Sequence, residues 1–195
     1  MAAMALVERN PTDVQSMQLQ ASVLKRMKDF GGAEAVLDKA IALEPDHPIL
    51  LIERAALRFE QGNLEGGRAD LALARPIARQ SAGLLNNLCW TQAVAGVDLD
   101  QALKDCDAAL ALRTEAGFLD SRGLVLLQLA RPAEALEVYD RALEMEPEQA
   151  ASLYGRGLAR EALGQTGEAA ADKAAAVRLS ATIAEDFETY EARAR

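Results

Sequence analysis

The chain has 195 residues, half of them hydrophobic but only 4% aromatic, with a formal net charge of −9. Ala and Leu supply most of the apolar mass and favour helix over strand, so an all-helical protein is expected. The acidic balance repels phosphate backbones and anionic lipid and excludes nucleic acid as the natural partner.

The start, MAAMALVERN, lacks a basic segment ahead of its short apolar stretch and does not read as a secretory signal. The longest uncharged run, residues 80–97, holds two Asn, a Thr and two Gln and makes a poor membrane span, so no membrane insertion is expected. Residues 2–8 followed by Asn10 and Pro11 read as the end of a helix whose hairpin partner is missing. Residues 1–13 are therefore assigned to a truncated preceding repeat, and the chain is expected to be cut from something larger.

From residue 14 onward one pattern recurs. Met17, Leu51, Leu85, Leu119 and Leu153 are all long and apolar, each 34 residues from the next. Four residues further on, Ala21, Ala55, Cys89, Gly123 and Gly157 are all small. This period predicts helix-turn-helix repeats at 14–47, 48–81, 82–115, 116–149 and 150–183. In the second helices, small residues recur at Ala33, Gly67, Ala102, Ala135 and Ala169, and again at Ala40, Ala74, Ala109, Ala142 and Ala176. Both series step by 34, 35, 33 and 34, because one extra residue follows Gly96. Small residues seven apart share a helix face and let the first helix approach.

Turns within the repeats are expected at Phe30, Gly31 and Gly32, at Gln61, Gly62 and Asn63, at Gly96, Val97 and Asp98, at Arg131 and Pro132, and at 164–167. Pro132 suits a first helical position, and Pro45 and Pro147 stop the helices before them. Thr182 and Glu185 resemble a capping box, with Ile183, Phe187 and Tyr190 at helical spacing behind it. A C-terminal capping helix, 184–195, is expected to cover the apolar end of the array.

Little in the sequence suggests catalysis. The single His47 lies in a loop with no second ligand or triad partner, and the two cysteines are too few for a metal framework, so neither cofactor nor metal is expected. Arg54 and Arg156 each have an Asp sixteen residues on, Asp70 and Asp172. An antiparallel hairpin turns each pair into an inter-helix ion pair. Arg122 lacks such an Asp and is expected to reach Asp105. Cys89 and Cys106 fall at facing positions of one hairpin, where a disulfide and two buried free thiols are equally consistent with the pattern.

The arrangement resembles the tetratricopeptide repeat family from about Val14 to Ile183. The fourth repeat carries the likeness best, with Leu119, Gly123, Leu126, Ala135, Tyr139, Ala142 and Pro147 on the family's positions; Arg79, Ala181 and Lys173 depart from it. The resemblance implies a right-handed superhelical solenoid of about five repeats. It also implies a concave groove lined by the first helices, with Gln18, Ser22, Ile52, Ala56, Phe59, Asn86, Trp90, Asp120, Leu124, Leu127, Tyr154 and Leu158 as candidates. Asn86 offers both ends of an amide to a peptide backbone; Trp90 either packs a ligand side chain or fills space between adjacent first helices. The Lys, Asn and Arg set with which one variant of the family clamps a chaperone-tail carboxylate is not met.

The expected function is therefore a protein–protein interaction scaffold that binds a peptide or protein segment in its groove and is not an enzyme. The phrases around Leu85 to Trp90, Asp120 to Gly123 and Ser152 to Gly157 also look like C-terminal repeats of multidomain bacterial envelope proteins. That alternative makes the chain an accessory domain of a larger enzyme, periplasmic if so and cytoplasmic if the chain is complete. Self-association through exposed end repeats is a third expectation.

Overall fold

The computed structural model describes residues 13–194, in which eleven helices and no strand occur. The helix tail expected at 2–8 lies outside the described residues. The helices are α1 (Val14–Arg26), α2 (Phe30–Leu43), α3 (Pro48–Glu60), α4 (Leu64–Ala78), α5 (Ala82–Ala95), α6 (Leu99–Leu112), α7 (Ala116–Gln128), α8 (Pro132–Met145), α9 (Ala150–Ala162), α10 (Thr166–Leu179) and α11 (Ile183–Ala194). They pair as the 34-residue period requires, α1 with α2 through α9 with α10, giving five antiparallel hairpins of an all-α helical repeat solenoid.

All five within-repeat turns use one device. A residue in the left-handed region closes the first helix at Lys28, Gly62, Gly96, Ala130 and Gly164, again 34 apart. The next N–H then donates to the carbonyl five residues back: Asp29 to Leu24, Asn63 to Arg58, Val97 to Gln92, Arg131 to Leu126 and Gln165 to Arg160. The turn expected at Phe30, Gly31 and Gly32 therefore falls two residues earlier, at Lys28. The two glycines belong to the first turn of α2, where Asp29 caps Gly32 N–H at 2.9 Å.

In four repeats the residue after the left-handed one is the N-cap of the second helix. After Gly96, Val97 intervenes with its side chain buried, and Asp98 takes a second left-handed conformation, φ 48°, as N-cap. That insertion is the extra residue seen in the spacing. His47 is the N-cap of α3, its Nδ1 accepting from Leu50 N–H at 3.4 Å. Pro132 opens α8, and α2 and α8 end two residues before Pro45 and Pro147.

The described residues form two compact units that divide between Arg79 and Gln80. The first holds α1 to α4; Val14, Met17, Ala21, Leu37, Leu50 and Leu57 of α1 to α3 form one core, and α4 packs on α3. The second holds α5 to α11. In it Tyr139 of α8 is fully buried between Gly123 of α7 and Gly155 of α9, where a Cβ on either glycine would overlap the ring. Small residues at these points are what let adjacent hairpins close on an aromatic side chain.

The inter-helix ion pairs are present in both units. Arg54 holds Asp70 by two bonds and Asp38 by a third, while Arg58 adds another to Asp70. Arg156 repeats this with Asp172 and Asp140, and Arg160 joins at Asp172. Arg122 does not reach Asp105 but pairs with Asp107 at 2.7 Å. Asp105 is buried and engaged instead by Gln92 and Gln101, so it points into the hairpin and away from α7.

Candidate functional site

In the second unit the first helices α5, α7 and α9 lie side by side, α7 touching both others as well as α6 and α8. A helix with neighbours on so many sides must be apolar nearly all round, and most of α7 is buried. One face of the three remains for other use. It carries Trp90 on α5, Leu124, Leu127 and Gln128 on α7, and Tyr154, Leu158 and Glu161 on α9.

The C-terminal helix covers part of this face. It packs on α9 and α10, as an end cap would, and also on α5. Ile183 and Phe187 are buried in the same cluster as Cys89, Leu124 and Leu153. Phe187 meets Tyr154 with ring centroids 5.1 Å apart, and Tyr190 meets Trp90 edge-on at 5.8 Å. Gln128 Nε2 donates to Ala93 O at 2.9 Å and to Tyr190 O at 3.4 Å, so one side chain of α7 bridges α5 and α11. Beside Phe187 a cavity of about 420 Å³ stays open, lined by Leu124, Leu127, Gln128, Leu158, Glu161, Ala162 and Glu191.

Two acceptors near this face, Asn86 Oδ1 and Gln128 Oε1, are buried without a hydrogen-bond partner among the described residues. A buried carbonyl oxygen left unpaired favours a ligand that brings an N–H group. Trp90 is half-buried and in contact with Tyr190, so the structure puts it on this face and against α11, not only between first helices. Asp120 is buried and accepts from Ser152 Oγ at 2.7 Å, between α7 and α9. Burial pushes its carboxyl up to about 6, against the lowering effect of the Ser152 bond.

In the first unit the corresponding face belongs to α1 and α3. Ser22 is exposed and borders a smaller cavity, about 180 Å³, with Ala21, Lys25, Leu37, Glu53, Ala56 and Leu57. Gln18 Nε2 donates to Glu53 Oε1 at 2.7 Å, tying the two first helices together. Burial raises the Glu53 carboxyl, with the Gln18 bond opposing it. Ile52 is buried, and Phe59 lies between α3 and α4 with its ring against Gly67. Neither presents its side chain to a ligand on this face as the structure stands.

Cys89 on α5 and Cys106 on α6 are fully buried behind Trp90, with Cα atoms 5.3 Å apart and sulfurs in bonding contact. Among the described residues no group of three or more His, Cys, Asp or Glu is placed to hold a metal ion. No helix of those residues is long and apolar enough to cross a membrane. The part sequence reasoning missed is α11 on the first-helix face. Its only signal was the spacing of Ile183, Phe187 and Tyr190, which shows an apolar stripe but not what the stripe meets.

The sequence model of the tetratricopeptide repeat family matches residues 19–82 and 121–182. Among curated proteins, the chain is 27% identical over 180 residues to protein FlbA of Caulobacter vibrioides, covering 90% of this chain and 30% of that protein. The chain thus spans under a third of that relative's length. Among solved structures it is similar to a thermophilic tetratricopeptide repeat protein of Thermus thermophilus, with 17% identity, TM-score 0.73, and 93% and 98% of the two chains covered. It is also similar to YrrB, described as a tetratricopeptide repeat protein with an unusual peptide-binding site, with 16% identity, TM-score 0.58, and 96% and 97% covered.

Proposed function

Because the chain belongs to the tetratricopeptide repeat family, we propose that it is a protein–protein interaction scaffold that holds a peptide or helical segment of a partner against its first helices. The observation that carries this reading is the face of α5, α7 and α9. It combines aromatic and aliphatic side chains, Trp90, Leu127, Tyr154 and Leu158, with an unfilled cavity of about 420 Å³ and two unpaired buried acceptors. A few aromatic anchors beside fixed polar groups are what protein-binding hot spots consist of.

The reading assigns the chain no catalytic step. Of its buried carboxylates, Asp70 and Asp172 serve ion pairs, Asp105 accepts from Gln92 and Gln101 and Asp120 from Ser152, while its one histidine caps a helix. The formal charge of −9 favours protein partners over nucleic acid.

Site-specific photo-crosslinking in cells tests the proposal. A crosslinking residue at Glu161, which borders the cavity, is expected to give discrete protein adducts, and one at exposed Glu144 on α8 is not. Equal adducts from both positions, or adducts from Glu144 alone, would move the interaction to the second helices and refute it.

A further inference from the structure

We propose that α11 is a built-in ligand of the second unit's first-helix face. In this view Ile183, Phe187 and Tyr190 hold the place of a partner's amphipathic helix whose apolar residues follow the same i, i+4, i+7 spacing. The inference rests on the scaffold reading and adds to it the class of partner and the event that admits it.

Three observations support displacement. First, α11 does what a helical ligand would do: it crosses α5, α7 and α9 and puts its aromatic residues on Trp90 and Tyr154. A cap that only continued the array would meet α9 and α10, as α7 meets α5 and α6; the contacts to α5 and α7 go beyond that.

Second, its hold is narrow. Of its twelve residues, Ile183 and Phe187 are buried and Tyr190 is half-buried, while Glu185, Glu188, Thr189, Glu191 and Arg193 are exposed. Two of the hydrogen bonds from its far end to the face are long, 3.4 Å from Gln128 to Tyr190 O and 3.4 Å from Arg193 to Val94 O. Helices held by few buried contacts open before the rest of a fold.

Third, the fit is incomplete. The cavity of about 420 Å³ lies beside Phe187 between Leu124, Leu127 and Leu158, so the face is larger than the side chains α11 lays on it. A partner helix with bulkier apolar residues would fill space that α11 leaves open and gain contacts α11 lacks. While α11 is seated, a partner's apparent affinity is reduced by the fraction of molecules in which the face is free.

Two measurements on the full chain test this. In native-state hydrogen exchange of the unmodified protein, amides of α11 are expected to open at least tenfold more often than those of α9 and α10. Exchange of α11 in step with α9 and α10 would make it an inseparable part of the unit and overturn the proposal. In the second, a fluorescein-labelled peptide of residues 181–195 is titrated into the full chain and into its Phe187→Ala, Tyr190→Ala variant, with circular dichroism checking that the variant keeps its helices. The variant is expected to bind the peptide at least tenfold more tightly than the unmodified chain and to regain its original Trp90 emission. Equal binding by both forms, or none by a folded variant, overturns the proposal; if the variant unfolds, hydrogen exchange alone decides. A partner captured while α11 stays seated would reject the displacement and leave the scaffold reading intact.

Discussion

Arg156 and Asp172 are joined by two hydrogen bonds, Nε to Oδ2 at 2.8 Å and Nη2 to Oδ1 at 2.7 Å, between the two helices of the last hairpin. Asp172 also accepts from Arg160, and its side chain is only 8% exposed, whereas Asp140, the third partner of Arg156's network, is 45% exposed. The same carboxylate-and-two-arginine arrangement recurs in the first unit around Asp70, so its stability effect belongs to the hairpin and not to one repeat.

Removing the buried carboxylate leaves two guanidinium groups short of their partner, while removing the exposed one leaves groups that water can satisfy. Asp172→Ala is therefore expected to cost about 3 kcal/mol and Asp140→Ala under about 1 kcal/mol. Urea denaturation of both variants checks this, and equal costs would contradict it.

Asp120 makes stability depend on pH. Its carboxyl ordinarily titrates near 3.8 and is raised to about 6 by burial, so between these values the folded state binds more protons than the unfolded chain. Stability from this group is full below about pH 4 and is lost as pH rises through 6. The rise of about two units corresponds to about 3 kcal/mol. Asp120→Asn is expected to remove that dependence, gaining on the parent by up to this amount more at pH 7.5 than at pH 4. A difference between variant and parent that does not change with pH contradicts the assignment.

Ala130 sits at φ 55°, where its Cβ is strained and Gly is not, yet Gly62, Gly96 and Gly164 occupy the equivalent turns. Ala130→Gly is expected to raise stability by about 1 kcal/mol, and Gly164→Ala to lower it by a similar amount. Thermal melts of the two variants moving in the same direction would contradict the turn geometry.

The contact between Cys89 and Cys106 closes a loop with a sequence separation of 17. Thiol titration of denatured, unreduced protein from an oxidising compartment is expected to find no free thiol. Reduction should then lower the stability of the second unit by about 3 kcal/mol. Two free thiols would contradict the bond.

The sequence made the hairpins legible because each helix repeats one large and one small residue at a fixed step. The slip after Gly96 was legible for the same reason. The ion pairs of Arg54 and Arg156 could be read because both partners lie within one hairpin, where spacing fixes who meets whom. Arg122 went to Asp107 because its partner lies across a repeat boundary, where one helical residue changes which side chain is in reach. Lys28 and Ala130 carry no glycine signal, so their left-handed turns could not be read, and the first was misplaced onto Gly31 and Gly32. Phe59 and Asp120 share the helices expected to line the groove yet point into the packing, because a first helix is surrounded on several sides. The course of α11 was illegible, since an apolar stripe at 183, 187 and 190 is equally suited to an end cap and to a groove.

Trp90 is the only tryptophan of the chain and lies on the first-helix face. Its indole N–H therefore gives a single NMR signal at the proposed site. The most direct test adds the partner identified by crosslinking to isotope-labelled full chain and follows that signal. The indole resonance is expected to shift or broaden in step with the amides of α5, α7 and α9. An unchanged indole, with the perturbed amides confined to the exposed sides of α6, α8 and α10, would contradict it.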